Sequence, residues 1–407
     1  MTETVSLPMS PSPSVRLNSI YVVSTFTLIV ESDGKKAISA MCGIFDTALL
    51  SQEAKKTDAN NNKAIARNLI KPKLIKVSYN TTLISPEIVL AANSNTFESI
   101  ALQVFFYQYH NNSIYRQYCD ALHVQPESIR QLQQIPFLPI SFFKTHRVVA
   151  GNADKAELVF ESSGTTGETP SRHYITDAGI YEKSLIGGFT QFYGSPEKYT
   201  ILALLPSYLE RKNASLVHMA KELMDYSGHA DNGFYINEWD QLKTVLARLG
   251  SAGNRVLLLG VTFSLLDFAA ACPLLLTNTI VMETGGMKGR REELTRSEVH
   301  AFLKKQWGLN EVHSEYGMTE LLSQAYSAAD GVFRCADTMR VLVRDLNDPL
   351  DVGETGMGAL NIIDLANVNS CSFIATEDIG NISKDGSFEV MGRMDNTALR
   401  GCSLMAV

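Results

Sequence analysis

Cysteine is sparse in this chain and is not arranged for metal or disulfide chemistry. Cys42, Cys119, Cys272, Cys335, Cys371 and Cys402 are scattered over 407 residues with no CxxC pair and no His at zinc-ligand spacing, which argues against structural zinc and a disulfide framework. A basic excess is missing too. The 36 Lys and Arg face 43 Asp and Glu, a net charge of −7, so no overall field draws in nucleic acid or an anionic membrane. The longest apolar run near the start, Ile20 to Val30, is interrupted by Ser24 and Thr25 and falls short of the roughly 18 to 20 residues of a membrane span. It sits behind a Ser/Pro leader whose one basic residue is Arg16, too late and too weakly charged for a secretory signal. The expected location is cytoplasmic, with no membrane span and no nucleic-acid partner.

The residues that are present suit a globular enzyme. With 45% hydrophobic and 19% charged residues the chain can bury a sizeable core. At about 150 residues per domain it has room for two or three domains, or one large one with a tail. Residues 1–93 read as an N-terminal extension of unknown role, either a small accessory element, a poorly ordered extension or sequence upstream of the native start: a β-prone run, a turn-like Asp33-Gly34 and a polar Asn-rich stretch, without a chemical motif. From Asn95 the apolar spacing is helical, with Phe97, Ile100, Ala101, Val104, Phe105 and Tyr109 on one face and continuation to Ala121. These aromatics are expected in a core. Ile135 to Lys144 carries two prolines and should be extended and irregular. Beyond it, strands at Ala156–Glu161, Tyr199–Leu205, Val256–Gly260 and Thr279–Met282 alternate with helices at 177–194, 213–227, 239–250, 262–271 and 292–307. Such alternation predicts an α/β sheet with parallel character over 94–334. Residues 335–407 turn to strands and Gly/Asp/Asn turns, with strands at Arg340–Arg344, Gly358–Asp364 and Ser387–Met391. That is a β-rich subdomain closing the site.

The strongest local signal is Ser162-Ser163-Gly164-Thr165-Thr166-Gly167, followed by Pro170. Its glycines let backbone N–H groups approach an anion and its hydroxyls add donors, so phosphate is the natural ligand; a surface loop is the plain alternative. No Lys follows Gly167, so it is not the GxxxxGK(S/T) loop of P-loop NTPases. The order Ser-Ser-Gly-Thr-Thr-Gly-x-x-Pro resembles the phosphate-binding signature of the adenylate-forming superfamily of acyl-CoA synthetases, luciferases and nonribosomal adenylation domains. Three further stretches follow in that family's order, at intervals of about 150, 60 and 15 residues. Tyr316-Gly317-Met318-Thr319-Glu320 is similar to the aromatic-Gly-x-Thr-Glu motif. The resemblance implies that Tyr316 packs by adenine, Thr319 meets phosphate and Glu320 helps hold Mg²⁺. Thr376-Glu377-Asp378 resembles the Thr-Gly-Asp whose Asp grips the ribose hydroxyls, with Glu377 departing from the usual Gly. Gly392-Arg393-Met394-Asp395 resembles the Gly-Arg-x-Asp of the hinge. Read singly, Glu320 could be an exposed carboxylate at a helix start, Asp378 and Asp395 turn residues, and Arg393 half of a surface ion pair.

Leu205 to Ser215 and Thr284-Gly285-Gly286-Met287-Lys288-Gly289-Arg290-Arg291 resemble the acyl-protein synthetase of the bacterial luminescence fatty acid reductase more than the CoA ligases. By resemblance Gly285 and Gly286 lie beside the adenine; Lys288, Arg290 and Arg291 meet polyphosphate or form a solvated turn. The implied fold is the α/β adenylate-forming large domain, with mixed sheets flanked by helices and a β-rich subdomain. Superfamily members continue for about a hundred residues past the hinge into a Lys-bearing lid, whereas this chain ends fourteen residues after Arg393 and is expected to lack it. In the acyl-protein synthetases a cysteine near the C-terminus is the acyl acceptor, and Cys402 fits by position, with Cys371 as its competitor. The implied activity uses ATP and Mg²⁺ to convert a fatty acid to acyl-AMP, moves the acyl group to Cys402 and delivers it to a partner reductase. Alternatives are a truncated acyl-CoA or aryl-CoA ligase and a nucleotide-binding protein without catalysis.

Overall fold

The computed structural model describes residues 84–162, 169–205, 213–285 and 294–394, together with two short strands nearer the N-terminus. The chain divides into two compact units, 1–76 and 77–407. In the first, Ile29–Val30 (β1) pairs antiparallel with Lys36–Ala37 (β2), the two lying on either side of Asp33-Gly34 in the sequence.

The second unit opens with helices Pro86–Leu90, Phe97–Asn111 and Ser113–Ala121. Its strands follow as Leu138–Pro139 (β3), Leu158–Glu161 (β4), Arg172–Ile175 (β5), Thr200–Leu204 (β6), Gly233–Tyr235 (β7), Val256–Val261 (β8), Thr279–Thr284 (β9) and His313–Tyr316 (β10). They continue as Ala325–Ser327 (β11), Val332–Cys335 (β12), Met339–Arg344 (β13), Val352–Gly353 (β14), Gly356–Asp364 (β15), Phe373–Ile382 (β16) and Phe388–Arg393 (β17). β7, β6, β8, β9 and β10 pair in that order, all parallel. Parallel neighbours need crossovers, and helices Ser215–Ser227, Trp239–Ser251, Thr262–Ala271 and Arg296–Trp307 supply them. β8 is buried along its whole length. A parallel strand covered on both faces has no solvent side toward which to alternate, so it reads as an unbroken apolar run. The Arg296–Trp307 helix is started by a Thr295/Glu298 capping box and stopped by Gly308 in the left-handed region (φ 64°). At β10 the sheet changes character. β11 runs antiparallel to β10, and β12, β17, β16, β15, β13 and β14 extend the same hydrogen-bonded sheet with antiparallel pairs. β4 and β5 form a separate hairpin.

Four local expectations change. The stretch from Phe97 to Ala121 is two helices, because Asn112 leaves helical geometry (φ −105°, ψ 106°), accepts the Tyr115 N–H at 3.0 Å and donates to the Ser370 carbonyl at 2.9 Å. A side-chain oxygen that replaces a missing helical acceptor makes Asn a strong N-cap, and this outweighs the apolar periodicity running through it. Phe97 and Phe105 are nonetheless buried in the core, as their spacing requires. Within the Pro-rich segment, Leu138–Pro139 finds a parallel partner in β16, and Phe142–Thr145 makes a short helix. Packing also begins ahead of residue 94: Ile84, Val89 and Ala92 are buried, and the Pro86–Leu90 helix lies against the Leu365–Asn369 turn and the Ala178–Tyr193 helix. Near residue 335 the sheet is continuous, since β12 pairs with β11 on one side and β17 on the other.

Candidate active site

The Ser/Thr loop joins β4 to β5, whose register pairs Phe160 with His173 and Glu161 with Arg172. Ser163, Gly164, Thr165, Thr166 and Gly167 lie outside the described residues; Ser162 stands at the loop's neck. Its N–H donates to the Ser171 carbonyl at 3.0 Å and its Oγ accepts the Ser171 N–H at 2.9 Å, closing the hairpin below the loop. A hydroxyl accepting in this way still has its proton to donate. Two residues apart along the hairpin's second arm, Ser171 and His173 are both buried while Arg172 is exposed, the alternation of an extended strand.

The second motif leaves the C-terminal end of β10, where open α/β sheets place their ligands. Tyr316 sits against Phe333 and Phe388, with ring centroids 5.8 and 5.5 Å away. Its hydroxyl donates to Asp378 Oδ2 at 2.7 Å, and Arg393 Nε donates to Asp378 Oδ1 at 3.1 Å. Residues far apart in sequence thus meet at one carboxylate. Asp378 lies in mid-strand on β16 rather than in a turn, and Glu377 beside it keeps strand geometry, its carbonyl accepting the Met394 N–H at 2.8 Å. Arg393 does form the ion pair of its plain reading, but with a carboxylate whose side chain is only 10% exposed. Glu320 is in a turn rather than at a helix start, and it is buried (5% exposed). Burial raises its carboxyl pKa, opposed by the Ser171 hydroxyl and by the charges of Arg393 and Lys144. Gly317 leaves room for the Glu315 carboxylate: a Cβ on it would meet Glu315 Oε1 and oblige that side chain to shift. Thr319 is half-buried beside Glu320.

β9 and β10 run parallel with Thr284 opposite Glu315, so Gly285 (φ 74°) leaves the sheet beside Tyr316. Its carbonyl accepts the Thr262 hydroxyl. Gly286, Lys288, Arg290, Arg291 and Asp395 lie outside the described residues, as does Cys402. Cys371 is fully buried, its thiol donates to the Phe373 carbonyl at 3.4 Å, and burial pushes its pKa up, all unfavourable for an acyl acceptor. Ser162, Tyr316, Glu320, Asp378, Arg393 and Gly285 are therefore linked through neighbouring strands, Ser171 and the Asp378 carboxylate.

Two buried acids at these strand ends carry no motif. Glu283 accepts from Thr262 Oγ1 at 2.9 Å and faces Arg296 at 3.3 Å. Glu315 accepts from Thr284 Oγ1 at 2.5 Å, and burial pushes its pKa up to about 7. The signal available in the sequence was position: each sits one or two residues before a motif, near the C-terminal end of its strand.

Residues 85–178 match the family described as acyl-protein synthetase, LuxE. The chain is 23% identical to a long-chain-fatty-acid–luciferin-component ligase of Aliivibrio fischeri, over 75% of this chain and 86% of that protein. Proteins of the same description from Vibrio harveyi and Photorhabdus luminescens are 44% and 36% identical over 15% and 17% of this chain. Those two matches span 16% and 60% of the relatives' lengths. Among solved structures, a 2-hydroxyisobutyryl-CoA ligase in complex with 2-HIB-AMP and CoA is similar with a TM-score of 0.56 at 13% identity, over 79% of this chain and 74% of that one. At that identity the likeness is one of fold: a large mixed α/β sheet matching the large domain of adenylate-forming ligases.

Proposed function

We propose that the chain is an acyl-protein synthetase of the LuxE type, the family that its residues 85–178 match, and that it activates a long-chain fatty acid with ATP and then carries the acyl group on Cys402. The observation supporting the first step is the convergence of Tyr316, Glu320, Asp378 and Arg393, with the neck of the Ser/Thr loop tied to Glu320 through Ser171. In that step a carboxylate oxygen of the fatty acid attacks the α-phosphorus, the bond to the β-phosphate oxygen breaks, and pyrophosphate leaves with the electron pair. Ser163 to Gly167 and Thr319 donate hydrogen bonds to phosphate oxygens, where fixed donors stabilise developing charge better than mobile water. Asp378 accepts from the ribose hydroxyls, while Tyr316, Gly285 and Gly286 border the adenine. The residues present fit Mg²⁺, since Glu320 is a buried carboxylate whose ionised form is disfavoured by that burial and would be relieved by a cation. Mg²⁺ held there would supply neutralisation of phosphate charge.

In the second step the Cys402 thiolate attacks the acyl carbon, the carbon–oxygen bond to AMP breaks, and a thioester forms for a partner acyl reductase. No described helix is long and apolar enough to cross a membrane. The full chain, given ATP, Mg²⁺ and a labelled long-chain fatty acid without CoA, should release pyrophosphate and take a hydroxylamine-sensitive label that maps to Cys402 by mass spectrometry. Cys402→Ser should keep pyrophosphate release and lose the label; Cys371→Ala should keep both. Acyl-CoA formed only on adding CoA, with no label, would make the protein a CoA ligase. Nucleotide binding without pyrophosphate release would make it a binding protein.

A further inference from the structure

The turn after Tyr316 is held from behind at several successive backbone groups. His173 Nδ1 meets the Thr319 carbonyl at 3.0 Å and Asn367 Nδ2 donates to the Glu320 carbonyl at 2.8 Å. Asp364 Oδ2 accepts from the Leu322 and Ser323 N–H groups at 2.7 and 3.0 Å. His173 and Asn367 are both fully buried, yet each holds its carbonyl with one polar atom and leaves the other, Nε2 and Oδ1, without a partner. A carbonyl only accepts, so His173 carries its proton on Nδ1 and Nε2 is a bare acceptor; Asn367 Oδ1 is an acceptor as well. Both residues line one small cavity of about 10 Å³, the room of a single water. Burial pushes the His173 pKa down to about 4, which keeps the ring neutral near pH 7.

These ties link separate parts of the site. His173 is on β5, the arm of the Ser/Thr loop hairpin, and Asn367 is in the turn between β15 and β16, the strand bearing Asp378. We infer that His173 and Asn367 are positioning residues: they fix the Thr319–Glu320 peptide between the β4–β5 hairpin and the β16 platform, so that the Glu320 carboxylate and the Ser162–Ser171 neck of the hairpin keep one spacing. The inference rests on the adenylation reading for Thr319 and Glu320. It assigns work to two residues outside every motif, neither of which touches substrate.

The test uses the full chain and reads the Mg²⁺ concentration giving half-maximal pyrophosphate release, a quantity that a merely structural residue would leave alone. His173→Asn keeps a donor where Nδ1 stands and should stay within about threefold of wild type, whereas His173→Phe and Asn367→Leu should each need roughly tenfold more Mg²⁺, the scale of one lost buried hydrogen bond. The double variant should be little worse than either single one, because both act on one turn. An unchanged Mg²⁺ requirement in folded His173→Phe and Asn367→Leu overturns the inference, and so does a His173→Asn protein as impaired as His173→Phe. Should the Phe and Leu variants fail to fold, His173→Gln, whose amide falls where Nε2 stands, replaces them; equality of Asn and Gln then overturns it. If wild type releases no pyrophosphate, the adenylation reading fails on its own. Calorimetric binding of Mg²⁺ with a non-hydrolysable ATP analogue then gives the same comparison between variants.

Discussion

Glu315 offers a stability test that depends on none of the enzymology. It is buried one residue before Tyr316, and burial pushes its carboxyl from an ordinary 4.5 to about 7, against the Thr284 hydrogen bond and with the Glu283 charge adding to the rise. Below pH 4.5 the group is protonated in both folded and unfolded chains. As pH rises, the unfolded chain loses the proton first, so the stabilisation present below 4.5 is lost progressively and is gone once pH passes about 7. At about 1.4 kcal/mol per pH unit of displacement, the whole effect is about 3 kcal/mol. Glu315→Gln keeps the shape and stays neutral at every pH. Its unfolding free energy relative to wild type should therefore rise by about 3 kcal/mol between pH 4.5 and pH 8. Urea unfolding followed by tryptophan fluorescence measures this, since Trp239 and Trp307 both lie in the second unit. Taking the difference between variant and wild type cancels the titrating groups that do not interact with Glu315, leaving Glu315 and its coupling to Glu283. A difference that stays flat with pH, or that falls as pH rises, would refute the reasoning, the latter by making the ionised Glu315 the stabilising form.

Further outcomes concern the site and the chain's start. Glu320→Gln should abolish acyl-dependent pyrophosphate release while leaving the urea midpoint at pH 8 unchanged or raised, because it removes a buried charge without opening a cavity. Asp378→Asn should raise the KM for ATP by roughly tenfold or more, through loss of charge-assisted bonds worth about 1.5 to 3 kcal/mol each; an unchanged KM would remove Asp378 from the ribose. Deleting residues 1–76 should leave pyrophosphate release intact. Deleting 1–93 should cost several kcal/mol, since Ile84 and Val89 each bury a side chain worth about 1.5 to 3 kcal/mol. Equal urea midpoints for the two truncations would show that the Pro86–Leu90 helix contributes nothing.

The parallel half of the fold was legible because its signals are local. β8 has an apolar run too short for a helix and the helices flanking it carry 3.6-residue spacing, so strand and helix separate on pattern alone. β16 does not read as a strand because its polar residues bond to neighbouring strands in place of facing solvent. Thr376 donates to the Leu360 carbonyl at 2.8 Å, and Asp378 takes Tyr316 and Arg393. Asn112 shows the complementary failure. Its capping partner Tyr115 is local, but the Ser370 carbonyl that fixes its side chain is 258 residues away, beyond any window of periodicity.

The site divides in the same way. Motif residues were legible because backbone-approaching glycines, hydroxyls and a fixed carboxylate are rare in combination, and order along the chain adds a constraint that composition does not. Residues that hold the motif from behind had no such signature. His173 reads as a strand histidine and Asn367 as a turn asparagine, and only the packing brings both to consecutive carbonyls of one turn. Burying polar residues of this kind is costly, and the bonds each makes to the turn offset part of that cost, so packing specifies them in a way that a local sequence pattern does not. A carboxylate held in a buried position against its own solvation needs its backbone fixed as firmly as its side chain, and the positioning residues lie one layer outside the motif, where sequence reading alone does not reach.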